Sequence, residues 1–261
     1  MSNYVFSAGE NFSLPATGHT WLRGDGIFET IKTENGQPFF LNRHIERAID
    51  STNRLKFALV NWAQLREDID SLLLKLPLVR GRLRFTIFAD GTYLITHEDA
   101  PARTAPHKML VSPVKKYSSS MLSGIKSLSY GESAAGMRIA ASKGCDDLLY
   151  FNERNEVSEF GLANLLIESD GKFFTSSLSS GCLPGIVRGI FLEWFSVTEK
   201  VLFKEDLKSA DGLYVLSSLR EMVLVSELHW QNGDVSKYRI SAEAEKLRTQ
   251  YLINSRSTPN S

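Results

Sequence analysis

Asn35-Gly36 stands between two apolar, β-rich runs, "GIFETIKTE" and "QPFFL". Asn-Gly readily takes the left-handed backbone of a two-residue hairpin turn, so residues 26–41 predict a hairpin. The device recurs at Asp170-Gly171, between "NLLIES" and "KFFTSS". "DDLLYF" and "EVSEF" flank a further turn at "NERNE". Hairpins join antiparallel neighbours, whereas a doubly wound sheet needs regular strand–helix alternation. The chain therefore reads as an α/β protein of the α+β type.

Helices punctuate the hairpins. In residues 42–57, Ile45, Ile49, Asn53 and Phe57 recur on one helical face with Ala48 and Leu55 beside them, and Asn42 is placed to cap the start. A second helix is predicted over 61–76, stopped by Pro77. Residues 81–90 alternate Leu83, Phe85 and Ile87 with Arg82, Arg84 and Thr86, the period of a strand. "YLITHE" and "KMLVSPV" read as further strands. The connector "EDAPARTAP" and the serine-rich "VKKYSSSMLS" place a boundary near residue 118. The expected division is a small N-terminal α/β domain, 1–117, and a larger domain, 118–261. The second half predicts a small-residue helix ending at Gly144, a helix over 186–197 after Pro184-Gly185, strands in "ADGLYVLSS" and "EMVLVSEL", and a closing helix over 241–254. The tail 255–261 reads as disordered.

Composition narrows the function. Thirty basic residues balance thirty acidic ones in 261, so no overall field draws in nucleic acid or an anionic membrane. The first residues lack a basic segment followed by an apolar run, and no stretch reaches the roughly 20 apolar residues of a membrane span. Cys145 and Cys182 are two distant thiols, and the five histidines have no ligand spacing, so neither a disulfide framework nor a metal is expected. A cytoplasmic location is the corresponding expectation. G-x-G-x-x-G after a strand and the P-loop are both lacking.

Lys126 raises the sharpest chemical question. It lies in "GIKSLSY", 124–130, a segment that reads as a half-buried strand. A buried, unpaired ammonium is costly and tends to lose its proton. Around it runs an ordered set: "RGDGIFETI", "HIERAIDS", "GIKSLSY", "EVSEFGLANLLI", "GCLPGIVRG" and "LSSLREMVLV". This set resembles the class IV aminotransferase family, the fold-type IV pyridoxal-phosphate enzymes, over about residues 20–228. The resemblance implies a two-domain fold-type IV architecture, with a larger C-terminal pseudo-barrel domain carrying the cofactor lysine. It also implies pyridoxal 5'-phosphate as cofactor, a small-molecule amino substrate and a homodimer.

It assigns roles residue by residue. Lys126 matches the lysine that carries the cofactor and moves protons. Glu159 matches the carboxylate that keeps the pyridine nitrogen protonated, although alone it would read as a solvated strand-end glutamate. Asn164, in the same run, orients either the strand or a neighbouring group. Gly185, Ile186 and Val187 would open a helix whose free N–H groups suit a phosphate. The family normally has threonine where Val187 stands, so only the backbone contribution carries over. Arg47 matches the arginine that pairs with the phosphate, and Ser218 matches a threonine near the phosphate or the substrate carboxylate. Tyr130 would share a strand face with Lys126. It either positions that lysine or packs in the core.

Subfamily detail bears on the reaction. "GDGIFETI", with Thr30 after the glutamate, and "SSLREMVLV", with Leu219 and Arg220, look like the lyase pattern. Thr30, Tyr130, Leu219 and Arg220 are thus expected to line the substrate site, with Arg220 equally suited to a surface role. The expected activity is 4-amino-4-deoxychorismate lyase, releasing pyruvate and p-aminobenzoate. An amino-acid transaminase of branched-chain or D-amino-acid type is the second expectation. A non-catalytic ligand-binding descendant is the third, disfavoured because a binding module has no need of Lys126, Glu159 and Arg47 together.

Overall fold

The computed structural model of the chain describes residues 4–7, 19–102 and 104–258. The N-terminal residues read above for a secretory signal lie mostly outside them. The chain divides into two units. One comprises 1–102, 125–130 and 257–261; the other comprises 103–124 and 131–256. The division thus falls before the expected boundary near 118, and the segment carrying Lys126 belongs to the first unit.

In the first unit, β1 (Tyr4–Ser7), α1 (His19–Arg23), β2 (Gly26–Glu34), β3 (Gln37–Pro38), α2 (Leu41–Leu55), α3 (Trp62–Lys75), β4 (Arg80–Phe88) and β5 (Tyr93–Asp99) follow in order. The sheet order is β1-β5-β4-β2-β3, antiparallel except for the β1–β5 edge pair. Asn35 (φ 49°) and Gly36 (φ 76°) are both left-handed, as a two-residue hairpin turn requires. Ile27 and Ile31 of β2 and Leu83, Phe85 and Ile87 of β4 form one core with Ile45 and Ala48 of α2 and Leu65 and Ile69 of α3. Full burial of such a side chain contributes about 1.5–3 kcal/mol.

Two details of α2 differ from expectation. The residue at its N-cap is Phe40, in the left-handed conformation (φ 57°), and Asn42 is an exposed residue inside the first turn. A buried phenylalanine turns the chain here, so tertiary packing replaces the side-chain cap. Asn53 is exposed, because the buried stripe runs through Leu41, His44, Ile45, Ala48, Ser51 and Thr52. In α3 the sequence rule holds: the Asn61 side chain accepts from the Gln64 N–H at 3.1 Å.

The second unit contains β6 (His107–Val111), α4 (Gly131–Ser142), β7 (Asp147–Phe151), β8 (Val157–Phe160), β9 (Asn164–Ser169), β10 (Lys172–Ser176), α5 (Ile186–Trp194), β11 (Val197–Lys200), α6 (Lys204–Ser209), β12 (Gly212–Ser217), β13 (Glu221–His229), β14 (Val235–Lys237) and α7 (Ala242–Ser257). Its mixed sheet runs β11-β10-β9-β12-β13-β6-β7-β8, with β14 on β13. Leu149, Leu165, Leu213, Val215, Val225 and Trp230 lie in its main core. β11, α6 and β14 are short elements that residue patterning does not announce; β11, with one buried residue, exists because β10 offers it an edge. The closing helix extends to Ser257, so residues 255–257 are helical where a disordered tail was expected, and 259–261 lie outside the described residues.

Candidate active site

The segment 124–130 is not a full strand. It makes one antiparallel bridge, Ser127 to Ile27, with the Phe28 N–H donating to Lys126 O at 2.9 Å and the Leu128 N–H to Gly26 O at 2.8 Å. Gly26 permits this docking. A Cβ there would fall 2.6 Å from Leu128 Cδ1 and 2.7 Å from the Ile87 carbonyl, and the latter is backbone that does not yield. The half-buried character read for the segment holds from Gly124 to Leu128.

The docked segment puts Lys126 against an aromatic pair. Its Nζ lies 4.2 Å from the Phe28 ring centroid and 5.7 Å from that of Tyr130, and the two rings meet edge to face at 5.3 Å. Arg84 also stacks on Phe28, at 3.8 Å. Phe28 and Thr30 share one face of β2, and Thr30 pairs in register with Arg84. Arg84 has no ion-pair partner among the described residues; burial is the largest influence on it and lowers its pKa. Sequence reading had taken Arg84 only as the polar phase of a strand.

The opposite face of β2 carries a charged cluster in an otherwise apolar core. Glu29 is 1% exposed. It accepts from Arg47 Nε at 2.9 Å, from Arg47 Nη2 at 2.5 Å and from His44 Nδ1 at 2.6 Å. Burial works against the Glu29 charge, but Arg47 and then His44 outweigh it and lower its pKa to about 2. Burial lowers the His44 pKa against the pull of Glu29, giving a neutral imidazole with its proton on Nδ1. Arg47, the expected phosphate ligand, is thus held bidentately by Glu29. "HIER" contained the signal: His44 and Arg47, three apart, share a helix face.

The second unit holds the other expected residues. Glu159, on β8, accepts the Leu183 N–H at 3.0 Å and the Asn164 amide at 3.5 Å on one oxygen, and Lys116 Nζ at 2.8 Å on the other. Asn164, at the start of β9, also donates to Leu183 O at 2.9 Å. It therefore orients both the Glu159 carboxylate and the turn leading into α5. Gly185 is the N-cap of α5 and offers no side-chain cap. The first N–H groups of that helix, from Ile186 and Val187, have no intrahelical acceptors. A Cβ on Gly185 would fall 1.8 Å from Asn164 Oδ1, so the cradle closes to anything larger than glycine. The Val187 side chain is buried, leaving its backbone for an anion.

Ser218, Leu219 and Arg220 form the turn between β12 and β13, closed by the Arg220 N–H donating to Ser217 Oγ at 3.3 Å. Arg220 favours the charge on buried Asp147, although burial dominates there and raises the Asp147 pKa. The expected residues thus form two groups. Lys126, Tyr130, Thr30 and Arg47 are in the first unit; Glu159, Asn164, Ile186, Val187, Ser218, Leu219 and Arg220 are in the second.

These donors suit pyridoxal phosphate. A carboxylate fixed by a backbone N–H matches a protonated ring nitrogen, and an uncapped glycine-opened helix start matches a phosphate. An amine held against aromatic rings matches the aldehyde. Among the described residues no group of three His, Cys, Asp or Glu could hold a metal ion, and no helix is long and apolar enough to cross a membrane.

Known proteins resemble this chain in fold and in sequence. The branched-chain amino acid aminotransferase of Escherichia coli has the same fold, with a TM-score of 0.81 at 20% identity over 92% of this chain and 88% of that one. It is the fold-type IV architecture, a small N-terminal sheet and a larger curled mixed sheet, as the sequence resemblance implied. The D-alanine aminotransferase of Staphylococcus haemolyticus is 23% identical over 91% of this chain and 92% of its own length. The aminodeoxychorismate lyase of Vibrio harveyi is 24% identical over 82% and 86%. The family model for amino-transferase class IV matches residues 26–228. The chain belongs to the amino-transferase class IV family, whose members depend on pyridoxal phosphate.

Proposed function

We propose that the chain is a 4-amino-4-deoxychorismate lyase. The observation that carries this reading is the face of β2 on which Phe28 and Thr30 lie with Arg84 and the Lys126 amine, within the lyase-like run Phe28-Glu29-Thr30. Arg84 supplies a guanidinium for a carboxylate of the substrate. When bound, pyridoxal phosphate supplies an electron sink for the pair left at the substrate carbon. Lys126 takes the proton from the carbon bearing nitrogen, next to the carbon that carries the enolpyruvyl ether. The ether C–O bond breaks, the carbocycle becomes aromatic, and a proton from Lys126 or water converts the departing enolpyruvate to pyruvate. Glu159, oriented by Asn164, would hold the ring nitrogen, and the N–H groups of Ile186 and Val187 would hold the phosphate, with Ser218 of the same unit supplying a hydroxyl, while Arg47 stays paired to Glu29. Aromatisation makes the elimination downhill, so the protein has mainly to position groups and move protons. The reading brings with it a homodimer, which sedimentation equilibrium tests.

The test supplies aminodeoxychorismate, made in situ by its synthase, to the protein loaded with pyridoxal phosphate. Equimolar pyruvate and p-aminobenzoate, lost in Lys126→Ala, are expected. No release from a protein whose Lys126 still takes up the cofactor in a borohydride-stable link would reject the lyase. Turnover of D- or branched-chain amino acids with keto acids would then establish a transaminase.

A further inference from the structure

Lys116 has no part in the chemistry above, yet it occupies the carboxylate on which that chemistry depends. Its backbone is fixed: the Lys116 N–H donates to Phe151 O at 2.9 Å, and the residue bridges Asn152 beside β7. From there its Nζ reaches Glu159 Oε1 at 2.8 Å and lies 4.8 Å from the Tyr150 ring centroid. The Lys116 side chain is 28% exposed and that of Glu159 12%. Glu159 Oε2 is already taken by the Leu183 N–H and the Asn164 amide.

A protonated ring nitrogen arriving at Glu159 therefore meets one oxygen bound to immobile backbone and one bound to a lysine. Were the ammonium to stay, two cations would share a single carboxylate at close range and repel each other. The Leu183 N–H has no freedom to leave. The lysine has a flexible four-carbon stem and a path to water. The geometry points to Lys116 as the counter-ion of Glu159 in the cofactor-free protein, displaced into solvent when the cofactor's ring nitrogen takes its place. The inference rests on the reading of Glu159 given above. Lys116 is a positioning residue: it neutralises the carboxylate while the site awaits the cofactor, and it opposes binding by the strength of its own ion pair.

The experiment titrates cofactor-free wild type, Lys116→Met, Lys116→Arg, Glu159→Gln and the Lys116→Met/Glu159→Gln double variant with pyridoxal phosphate, following visible absorbance. In parallel, acetylation at Lys116 is mapped by mass spectrometry with and without cofactor. Removing a partly exposed competing ion pair should tighten binding about two- to fivefold in Lys116→Met. Lys116→Arg, which keeps the competing charge, should bind like wild type. Lys116→Met should have no effect on the Glu159→Gln background, and acetylation of Lys116 should rise when cofactor binds. Lys116→Met binding no tighter than wild type, or acetylation that does not rise, overturns the inference, while a borohydride-stable link on Lys126 leaves the cofactor site standing. A wild-type protein that takes up no cofactor overturns both.

Discussion

Glu29→Gln isolates the buried charge on β2. The substitution keeps the size of the side chain but puts an amide where Arg47 and His44 donate, leaving a buried guanidinium short of its counter-charge. A carboxyl lowered from 4.5 to about 2 carries about 3 kcal/mol of pH-linked stability, at about 1.36 kcal/mol per pK unit. The sign follows from the folded value lying below the unfolded one. The stabilisation is fully present above pH 4.5 and is lost as the pH falls toward 2. Wild type should therefore exceed Glu29→Gln by about 3 kcal/mol at pH 7 and by only about 1 kcal/mol at pH 3. A two-unit chain need not unfold in one step. The assay is accordingly amide hydrogen exchange at Ile31 and Phe85, which reports opening of this sheet. A difference under about 1 kcal/mol at pH 7, or one equally large at both pH values, would refute the assignment of Glu29 as a charge held by Arg47.

Other consequences follow from single contacts. Gly185→Ala puts a methyl 1.8 Å from Asn164 Oδ1, so Asn164 must move. Cofactor affinity measured by absorbance titration should drop at least tenfold, and thermal melting should show a loss of about 1–3 kcal/mol. Burial pushes the Cys182 thiol up to about 11, helped by the charge of Glu159. At pH 8 about one such thiol in a thousand is ionised. An aromatic disulfide reagent should therefore leave Cys182 unlabelled in the folded protein and label it in urea.

Local chemistry explains which parts of this protein were legible. Asn35-Gly36 and Asp170-Gly171 gave their hairpins because the turn conformation belongs to the dipeptide itself. Asn61 capped α3 because the hydrogen bond spans three residues. Asn42 failed as a cap because Phe40, buried against the rest of the unit, turned the chain first. The stretch 124–130 was legible as half-buried but not as a single bridge. Its partner, Ile27, lies about a hundred residues away, and pairing at that distance leaves no local pattern.

The site divides the same way. The sequence by itself determined the chemical types, a lysine, a glutamate and a glycine-opened helix in family order, because motifs preserve residue identity and spacing. Only the tertiary structure decided that Glu29 holds Arg47 and His44, that Arg84 stacks on Phe28 beside Lys126, and that Lys116 occupies Glu159. Each of these contacts joins charges or rings from separate elements. A polar side chain read along the chain looks the same whether its partner is water or a buried carboxylate.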